Sequence, residues 1–389
     1  MNSETINFVT TGKLIPPNSG DRVSTLNMLV SLAKDFKINL ICIMQENDYT
    51  EDELKVFPPA ITVQTYKEIM NNTGIITFLR TLFLLQPYSH AVRRNRAKIS
   101  EFISNNLNSD SLTIWNHYRS IAYYKKNGNK NVLIQHNNES KILILRSKRT
   151  GNILTKIFCV FQSYLIKLHE YFLFKNLDRI IYESNFDKKK FDNKSVLLSY
   201  LPIKFSNSKI ILGNKENIRL LFVGSLDWYP NSDGILWFIK NVFNNLPEKF
   251  ELVIVGRNPS DALLRKIKKD KNERIKIYSN VLSVEPFYES SDIFIAPILT
   301  GAGINIKILE AASFGIPIVS TKFALRGYYE TDFIFSCDHA DEFQKILLEL
   351  GSDYKMRQVY QNDIISFYNG YIHNSEVELK KFSELINSL

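Results

Sequence analysis

The sequence predicts an α/β protein built on two doubly wound parallel sheets. Apolar segments with the length and composition of strands alternate with helical segments, and this alternation runs through the chain twice. The chain has 389 residues, which is long for one hydrophobic core, so its length also favours two domains. Residues 199–217 contain Pro, Gly and several Asn without helical periodicity, so we interpret them as a linker between the two halves.

The first half opens with the strand pattern INFVTT, a long loop, and a helix pattern from about Asp21 to Lys34, which places Gly20 at a helix N-terminus. Further strands are predicted at INLICIM, SLTIWNHY, NVLIQHNNE and DRIIYES. His117 and His136 follow two of them at their carboxyl ends, where open α/β sheets bind ligands. A hydrogen-bonded structural histidine is the alternative interpretation at either position.

The second half has strand patterns at IRLLFVG, ELVIVG, RIKIYSN, IFIAP and PIVST, with helical patterns between them. The last segment, SEVELKKFSELINSL, has apolar residues at helical spacing. The predicted domains are therefore residues 1–198 and 199–371, followed by a terminal helix over residues 372–389.

The composition predicts a cytoplasmic protein without disulfides. A hydrophobic share of 44% and a charged share of 23% are ordinary for a globular chain, so disorder is not expected. Cys42, Cys159 and Cys337 lack the paired spacing of a zinc or redox site. The N-terminus lacks the pattern of a secretion signal, and no apolar run reaches the ~18 residues of a membrane span.

The formal net charge is +9, so an anionic partner has to be considered. Between Ala91 and Lys175 the basic residues are interleaved with aliphatic and aromatic ones. Helices of this composition can lie on an anionic membrane surface, here the inner face of the cell membrane, and the alternative is a solvated surface helix. Nucleic acid is not expected as a partner, because zinc pairs, RNA-binding motifs and helix-turn-helix patterns are missing.

The segment PILTGAGINIKILEAASFGIPIVST predicts a diphosphate-binding loop. Gly301 and Gly303 follow a strand, and a helix is expected to begin at about Ile304 with unpaired N–H groups facing the loop. Lys307 lies in the first turns, where the helix dipole disfavours a cation unless an anion binds beside it. Glu310 shares its helical face and can accept hydrogen bonds from two ribose hydroxyls. A simple ion pair between Lys307 and Glu310 is the alternative.

The string GAGINIKILEAASFGIPIVST resembles the nucleotide-sugar motif of retaining GT-B glycosyltransferases of family four, the glycosyl transferases group 1, in the branch that has Gly-x-Gly-x-x-x-Lys-x-x-Glu-Ala. The resemblance implies two Rossmann-like domains that face each other across a cleft, with the terminal helix crossing back to the first domain. The larger family has two glutamates in the spacing Glu-x7-Glu, and the first of them contacts the transferred sugar. This chain has Ala302 at the first position and keeps the second as Glu310.

The string LFVGSLDWYPNSDGILWFIKNV resembles the entry to the donor domain of the same branch. The resemblance implies that Gly224 lets a phosphate approach the backbone and that Asn231 or Ser232 caps the next helix. Relatives carry an arginine and a lysine in this loop, where this chain has Ser225 and Asn231. The diphosphate charge then falls to Lys307, to helix termini and to Arg257, for which a solvated side chain is the alternative.

The resemblance also implies the remaining contacts of the site. The nucleotide base is held through backbone atoms near Val281, and uridine diphosphate is favoured as the nucleotide. In the first domain, NSGDRVSTLNMLVSLA resembles the family's glycine loop, which places Gly20 near the diphosphate and Arg22 near the acceptor. His136, in the pattern His-Asn-Asn-Glu, lines the cleft beside the transferred sugar, and His117 ends a strand on the same side.

The function implied is sugar transfer with retention from a nucleotide-diphosphate donor to a surface-glycan precursor, such as a capsule or lipopolysaccharide intermediate. The basic and aromatic stretch favours a lipid-linked acceptor, and a soluble glycan or a protein is the alternative. Neither a cofactor nor a metal ion is expected, because Lys307 and helix dipoles would neutralise the leaving diphosphate. Ala302 and Ser225 favour the alternative of an inactive accessory subunit that keeps the fold. A nucleotide-sugar epimerase would need an acid–base set that the sequence does not offer.

Overall fold

The computed structural model describes residues 4–17, 19–70, 75–126, 128–185, 187–188, 194–198, 203–205, 213, 215–269, 272–328 and 332–389. The chain divides into two compact units, Met1–Ile203 with Asn374–Leu389, and Lys204–His373. Most of the predicted linker over residues 199–217 lies outside the described residues. The predicted domain limits at residues 198/199 and 371/372 stay a prediction.

The first unit is built on a parallel sheet. Its strands are β1 Thr5–Thr11, β2 Lys37–Met44, β3 Ile61–Lys67, β4 Thr113–Asn116, β5 Asn131–Gln135, β6 Arg179–Tyr182 and β7 Ser195–Leu197. They pair in parallel in the order β3-β2-β1-β4-β5-β6-β7. The edge strands β3 and β7 were not predicted, because their residues are mostly half-buried and show neither a continuous apolar run nor a clean alternation.

Helices connect these strands, as parallel pairing requires. In the described residues they are α1 Gly20–Leu32, α2 Glu51–Leu54, α3 Ile75–Phe83, α4 Tyr88–Ala91, α5 Arg96–Asn106, α6 His117–Ser120, α7 Glu139–Arg149 and α8 Ile153–Phe174. The core of the unit lies between the sheet and these helices and includes the fully buried Trp115, Leu133 and Ile180.

The second unit contains a six-stranded sheet in the order β10-β9-β8-β11-β12-β13, with strands β8 Ile218–Val223, β9 Phe250–Gly256, β10 Ile275–Ser279, β11 Ile293–Ala296, β12 Ile318–Thr321 and β13 Phe335–Cys337. All of its pairs are parallel. The helices that belong to it are α9 Tyr229–Asn241, α10 Asp261–Lys269, α11 Glu285–Glu289, α12 Lys307–Ser313 and α13 Ala340–Ser352. Its inner strands are almost entirely buried, as expected for a sheet covered on both faces.

The chain ends in one long helix, α14 Tyr354–Asn387, which begins well before the predicted terminal helix. Its residues from Asn374 onward belong to the first compact unit. There the hydroxyl of Ser383 donates a 2.9 Å hydrogen bond to Asp35, which follows α1. The end of the chain is thus fixed to the first unit by a side-chain contact.

Candidate nucleotide-sugar site

Lys307 is the first residue of α12, and its amine points at the carboxyl end of β8. The Nζ atom donates a 2.6 Å hydrogen bond to Oδ1 of Asn231 and lies 4.5 Å from the centre of the Phe222 ring. It also occupies the space beside Gly224, where a Cβ atom would lie 2.8 Å from Nζ. The missing side chain of Gly224 therefore makes room for the amine in this structure.

The surroundings of Lys307 disfavour its charged form. Burial lowers the pKa of its amine from 10.5 to about 7, although the charge of Glu310 acts in the opposite direction. In the described part of the chain no carboxylate oxygen lies within 4.0 Å of this amine, so the alternative ion pair with Glu310 does not form. Its position at the start of a helix adds to the cost of the positive charge. An anion bound here would offset both costs.

Glu310 is held by a neighbour that the sequence did not reveal. The hydroxyl of Tyr288 donates a 2.8 Å hydrogen bond to Oε2 of Glu310. Burial raises the pKa of the Glu310 carboxyl, while the bond from Tyr288 lowers it. This bond fixes one carboxylate oxygen of Glu310, and the binding of a ligand hydroxyl by this residue stays a prediction.

The helix start predicted at Ile304 is wrong, since α12 begins at Lys307. The residues before it form a loop in which Gly301 and Gly303 have φ angles of 138° and 72°. These angles favour glycine over residues with a Cβ. The loop contacts Arg326, whose Nε donates a 3.2 Å hydrogen bond to the carbonyl of Gly303. Arg326 was missed because it lies beyond the motif and follows no pattern.

The loop after β8 also differs from the predicted arrangement. Asn231 and Ser232 do not cap α9, because both lie inside its first turn and Trp228 occupies the cap position. Instead, Nδ2 of Asn231 donates a 2.7 Å hydrogen bond to the carbonyl of Ser225, while Oδ1 accepts from Lys307. Asn231 thus links the β8 loop to the first residue of α12. The sequence did not predict this role, because it depends on a contact between segments that are distant in the chain.

Arg257 and Val281 lie in the loops that follow the neighbouring strands β9 and β10. The guanidinium of Arg257 donates a 3.2 Å hydrogen bond to the hydroxyl of Ser225, so these two predicted residues are in contact. Asn280, next to Val281, donates its backbone N–H to the carbonyl of Gly256 at 3.0 Å. The structure thus brings the loops after β8, β9 and β10 together at one edge of the sheet.

In the first unit, His136 is held from both sides of its ring. Its Nδ1 lies 2.7 Å from Oε2 of Glu183, and its Nε2 lies 2.7 Å from Oδ1 of Asn116. Both partners are buried, and Glu183 also accepts a 3.4 Å hydrogen bond from Ser24 of α1. Both ring nitrogens of His136 therefore have partners within the first unit. Glu183 and Asn116 were missed, because strand ends carry no motif for them.

His117 presents its ring differently. Its φ angle is 70°, an uncommon value for a residue with a Cβ. The ring stacks on that of His136 with 3.8 Å between centroids, and it is partly exposed. Burial, followed by the nearby His136 and Arg119, keeps the pKa of His117 well below its usual 6.5. At neutral pH this imidazole is uncharged.

The other two predicted residues of the first unit lie on α1. Gly20 is the first residue of the helix, and Arg22 forms a 2.8 Å ion pair with Glu46, which follows β2. Within the described residues no group of three or more His, Cys, Asp or Glu side chains is arranged to hold a metal ion. Nor is any helix of the described residues both long and apolar enough to cross a membrane.

Sequence comparisons relate this chain to one protein family and to two curated bacterial proteins. Residues 217–353 match the family described as glycosyl transferases group 1. An uncharacterized 44.6 kDa protein in the cps region of Klebsiella pneumoniae is 26% identical over 214 residues, which are 51% of this chain and 53% of that protein. An uncharacterized glycosyltransferase of Haemophilus influenzae is 27% identical over 39% of this chain and 44% of its own length. The chain thus spans about half the length of the curated relatives it matches.

The solved structures extend the similarity to the whole chain. A mutant of S. aureus TarM, in complex with fondaparinux, alpha-GlcNAc-glycerol and UDP, superimposes with a TM-score of 0.65 at 10% identity, covering 99% of this chain and 100% of TarM. At this identity the likeness concerns the fold. The predicted resemblance is confirmed: the chain has the GT-B fold, and its residues 217–353 match the family of glycosyl transferases group 1.

Proposed function

We propose that the protein is a glycosyltransferase that moves a sugar from a nucleotide-diphosphate donor onto a surface-glycan precursor with retained configuration. The observation that carries this proposal is the enclosed amine of Lys307, which has a pKa near 7 and lies beside Gly224 at the start of α12. A diphosphate placed there would restore the charged form of the amine and be neutralised by it. The match of residues 217–353 to glycosyl transferases group 1 supports the same reaction.

The donor residues divide the work by chemistry. Lys307 and the backbone of the Gly301–Gly303 loop neutralise the diphosphate, with Arg257 and Ser225 at the neighbouring strand ends. Glu310 accepts from the ribose hydroxyls, and backbone atoms near Val281 hold the base. Uridine diphosphate is the nucleotide we favour, and the complex of TarM with UDP supports this choice.

The proposed transfer needs no protein base. The acceptor hydroxyl oxygen bonds to the anomeric carbon on the face from which the diphosphate leaves. The bond between that carbon and the phosphate oxygen breaks, and the hydroxyl proton passes to the same phosphate oxygen. Lys307 stabilises the charge that builds up on the diphosphate, and no metal ion is required in this scheme. Gly20, Arg22, His117 and His136 would form the acceptor side.

The acceptor we propose is a lipid-linked glycan on the inner face of the cell membrane, used in capsule or lipopolysaccharide synthesis. The relative in the cps region of Klebsiella pneumoniae supports the polysaccharide assignment. The protein would then act in the cytoplasm as a peripheral membrane protein. Ala302 and Ser225 favour a second candidate, an accessory subunit that binds the donor without turnover, since both replace polar or charged residues of the family pattern.

Incubation of the purified protein with a panel of nucleotide sugars, with and without lipid-linked acceptor, tests both candidates. We expect transfer or slow donor hydrolysis that is lost in Lys307→Ala and kept in Lys240→Ala, a change at an exposed lysine of the same unit. Tight binding without turnover on any donor would support the accessory subunit. If no nucleotide sugar binds at all, the donor-site assignment is wrong.

A further inference from the structure

The first unit exposes apolar side chains on α3, on the residues that follow it, and on α8. We call this the α3–α8 surface, and its most informative members are Phe78, Leu82, Phe83, Ile153, Leu154 and Ile157. Phe83 keeps 80% of its surface exposed and Leu154 keeps 73%. Exposed apolar side chains that cluster on a folded domain mark interaction sites.

Contacts between the two helices make the surface continuous. The ring of Phe158 on α8 lies 6.2 Å from that of Phe78 on α3 and 5.6 Å from that of Tyr88. The backbone N–H of Tyr88 also donates a 2.6 Å hydrogen bond to Oε1 of the buried Gln162. The segment after α3 is therefore fixed against α8, and the apolar side chains of both belong to one face.

The α8 helix has apolar side chains both on its buried side and on its exposed side. Leu165 and Ile166 are buried against the core of the unit. Ile153, Ile157 and Val160 recur at helical spacing along the outer side and are exposed. Since the inner side of α8 is already packed against the core, the exposed residues on its outer side can contact a second apolar environment.

The charges on this part of the chain have one sign. Residues 140–169, which cover most of α7 and α8, contain no Asp or Glu. Their basic residues are all exposed, and they are Lys141, Arg146, Lys148, Arg149, Lys156 and Lys167. An exposed apolar stripe whose charged neighbours within residues 140–169 are all cations is complementary to a layer of apolar chains beneath anionic headgroups.

We propose that the α3–α8 surface docks the protein on an anionic lipid bilayer. The apolar side chains would enter the boundary between headgroups and acyl chains, while the Lys and Arg side chains meet the lipid phosphates. The proposal rests on the proposed function, in which the protein is peripheral to the membrane, and it names the surface that would contact the lipid. The residues of this surface are separate from those of the donor site. A bilayer at this surface would bring a lipid-linked acceptor to the first unit.

Vesicle sedimentation tests the surface without any sugar donor, so its result is independent of glycosyl transfer. The full chain is mixed with vesicles of phosphatidylcholine alone or with an equal share of phosphatidylglycerol. We expect pelleting with the anionic vesicles that weakens as salt is raised. In Leu154→Glu/Ile157→Glu the bound fraction should fall about tenfold, because two carboxylates enter the apolar stripe.

The control is Val359→Glu, which places the same charge at a 60% exposed apolar position in α14 of the second unit. It should bind vesicles like the unchanged protein, and circular dichroism should show all variants folded, since the replaced side chains are exposed. Equal pelleting of the double variant, or no pelleting on either vesicle, would overturn the proposal. Sedimentation velocity of the same samples would then show whether a second copy of the chain covers the surface.

Discussion

The two units give their candidate residues different hydrogen-bond partners. In the second unit, the amine of Lys307 donates a hydrogen bond to the neutral side chain of Asn231, and burial lowers its pKa to about 7. In the first unit, both ring nitrogens of the buried His136 lie 2.7 Å from oxygen atoms, one of them a carboxylate oxygen of Glu183. Within the described residues, a carboxylate oxygen lies within 4.0 Å of the His136 ring and none lies within 4.0 Å of the Lys307 amine.

This difference separates a residue that is suited to bind a ligand from residues that stabilise the fold. A buried group that is already paired gains little from a ligand, and breaking its pair is costly. A buried cation without a carboxylate gains most when an anion arrives. We therefore expect changes in the His136 network to act on stability and changes at Lys307 to act on donor binding and transfer.

The largest effect is expected for Glu183→Ala. The change leaves His136 without its carboxylate partner in a buried place, and it removes the acceptor for Ser24. Loss of one member of a buried pair typically lowers the free energy of unfolding by about 3–5 kcal/mol. Urea unfolding followed by circular dichroism measures the change in midpoint.

The matched control is Glu46→Ala, which removes the partner of Arg22 from a more exposed pair of 2.8 Å. Exposed pairs contribute about 0–1 kcal/mol, so this midpoint should hardly move. If Glu183→Ala unfolds at the same urea concentration as the unchanged protein and instead loses transfer, the comparison fails and His136 belongs to the chemistry.

Lys307→Met should produce the opposite pattern. The unbranched apolar side chain of methionine fills most of the same space without the charge, and transfer should fall by about 10²- to 10³-fold, as when one group that stabilises a developing charge is removed. Stability at pH 7 should not fall, because burial disfavours the charged amine. Initial rates and thermal unfolding, compared with Lys240→Met, check both statements. Unfolding of the variant at pH 7 would contradict them.

The sequence predicted the parts of the fold that depend on local patterns. The central strands of both sheets and the Gly301–Glu310 segment follow from apolar runs, glycines and one short motif. The edge strands β3 and β7 did not, because a half-buried strand carries a weak pattern. The start of α12 was predicted three residues early, since nothing in the sequence separates its first turn from the loop.

The contacts that the sequence did not predict join segments that are distant in the chain. Asn231 and Lys307 are 76 residues apart, and Tyr288 reaches Glu310 from another helix. Glu183 meets His136 from the end of a different strand. In a sheet whose neighbouring strands are not neighbours in sequence, such pairs are set by topology. A motif identifies the first member of each pair, and the fold supplies the second.

Proton uptake on donor binding would sharpen the contrast between the units. Since the pKa of free Lys307 is about 7, the amine is mostly neutral at pH 8 and mostly charged at pH 6. A bound diphosphate raises this pKa, so binding of a uridine diphosphate sugar should take up close to one proton at pH 8 and almost none at pH 6. Titration calorimetry in buffers of different ionisation enthalpy counts the protons.

The same pKa fixes the sign of the stability change in the free protein. The amine has a pKa of about 7 when folded against 10.5 when unfolded, so the unfolded chain binds more protons between these values. The contribution of Lys307 to stability should therefore rise as the pH is raised from about 7 to 10.5. In the calorimetric experiment, proton uptake on donor binding that persists in Lys307→Met would assign the bound proton to another group.

The smallest effect is expected for Tyr288→Phe, which tests whether Glu310 is held for a ligand. The hydroxyl of Tyr288 fixes Oε2 of Glu310 and keeps the pKa of that carboxyl from rising further. Without it, we expect donor binding to weaken by about 0.5–1.5 kcal/mol, the usual contribution of one hydrogen bond. The loss should grow as the pH falls, because a protonated carboxyl accepts poorly from ribose hydroxyls.

The donor KM of Tyr288→Phe at pH 6 and pH 8 measures this loss, with Tyr354→Phe as a control at a tyrosine without such a contact in the described structure. A donor that lacks the ribose 2′-hydroxyl separates the two explanations of any loss. If Glu310 binds that hydroxyl, the variant should bind this donor nearly as well as the unchanged protein does. If the loss is the same for both donors, Tyr288 supports α12 by packing alone, and the charge at Lys307 accounts for donor recognition without help from Glu310.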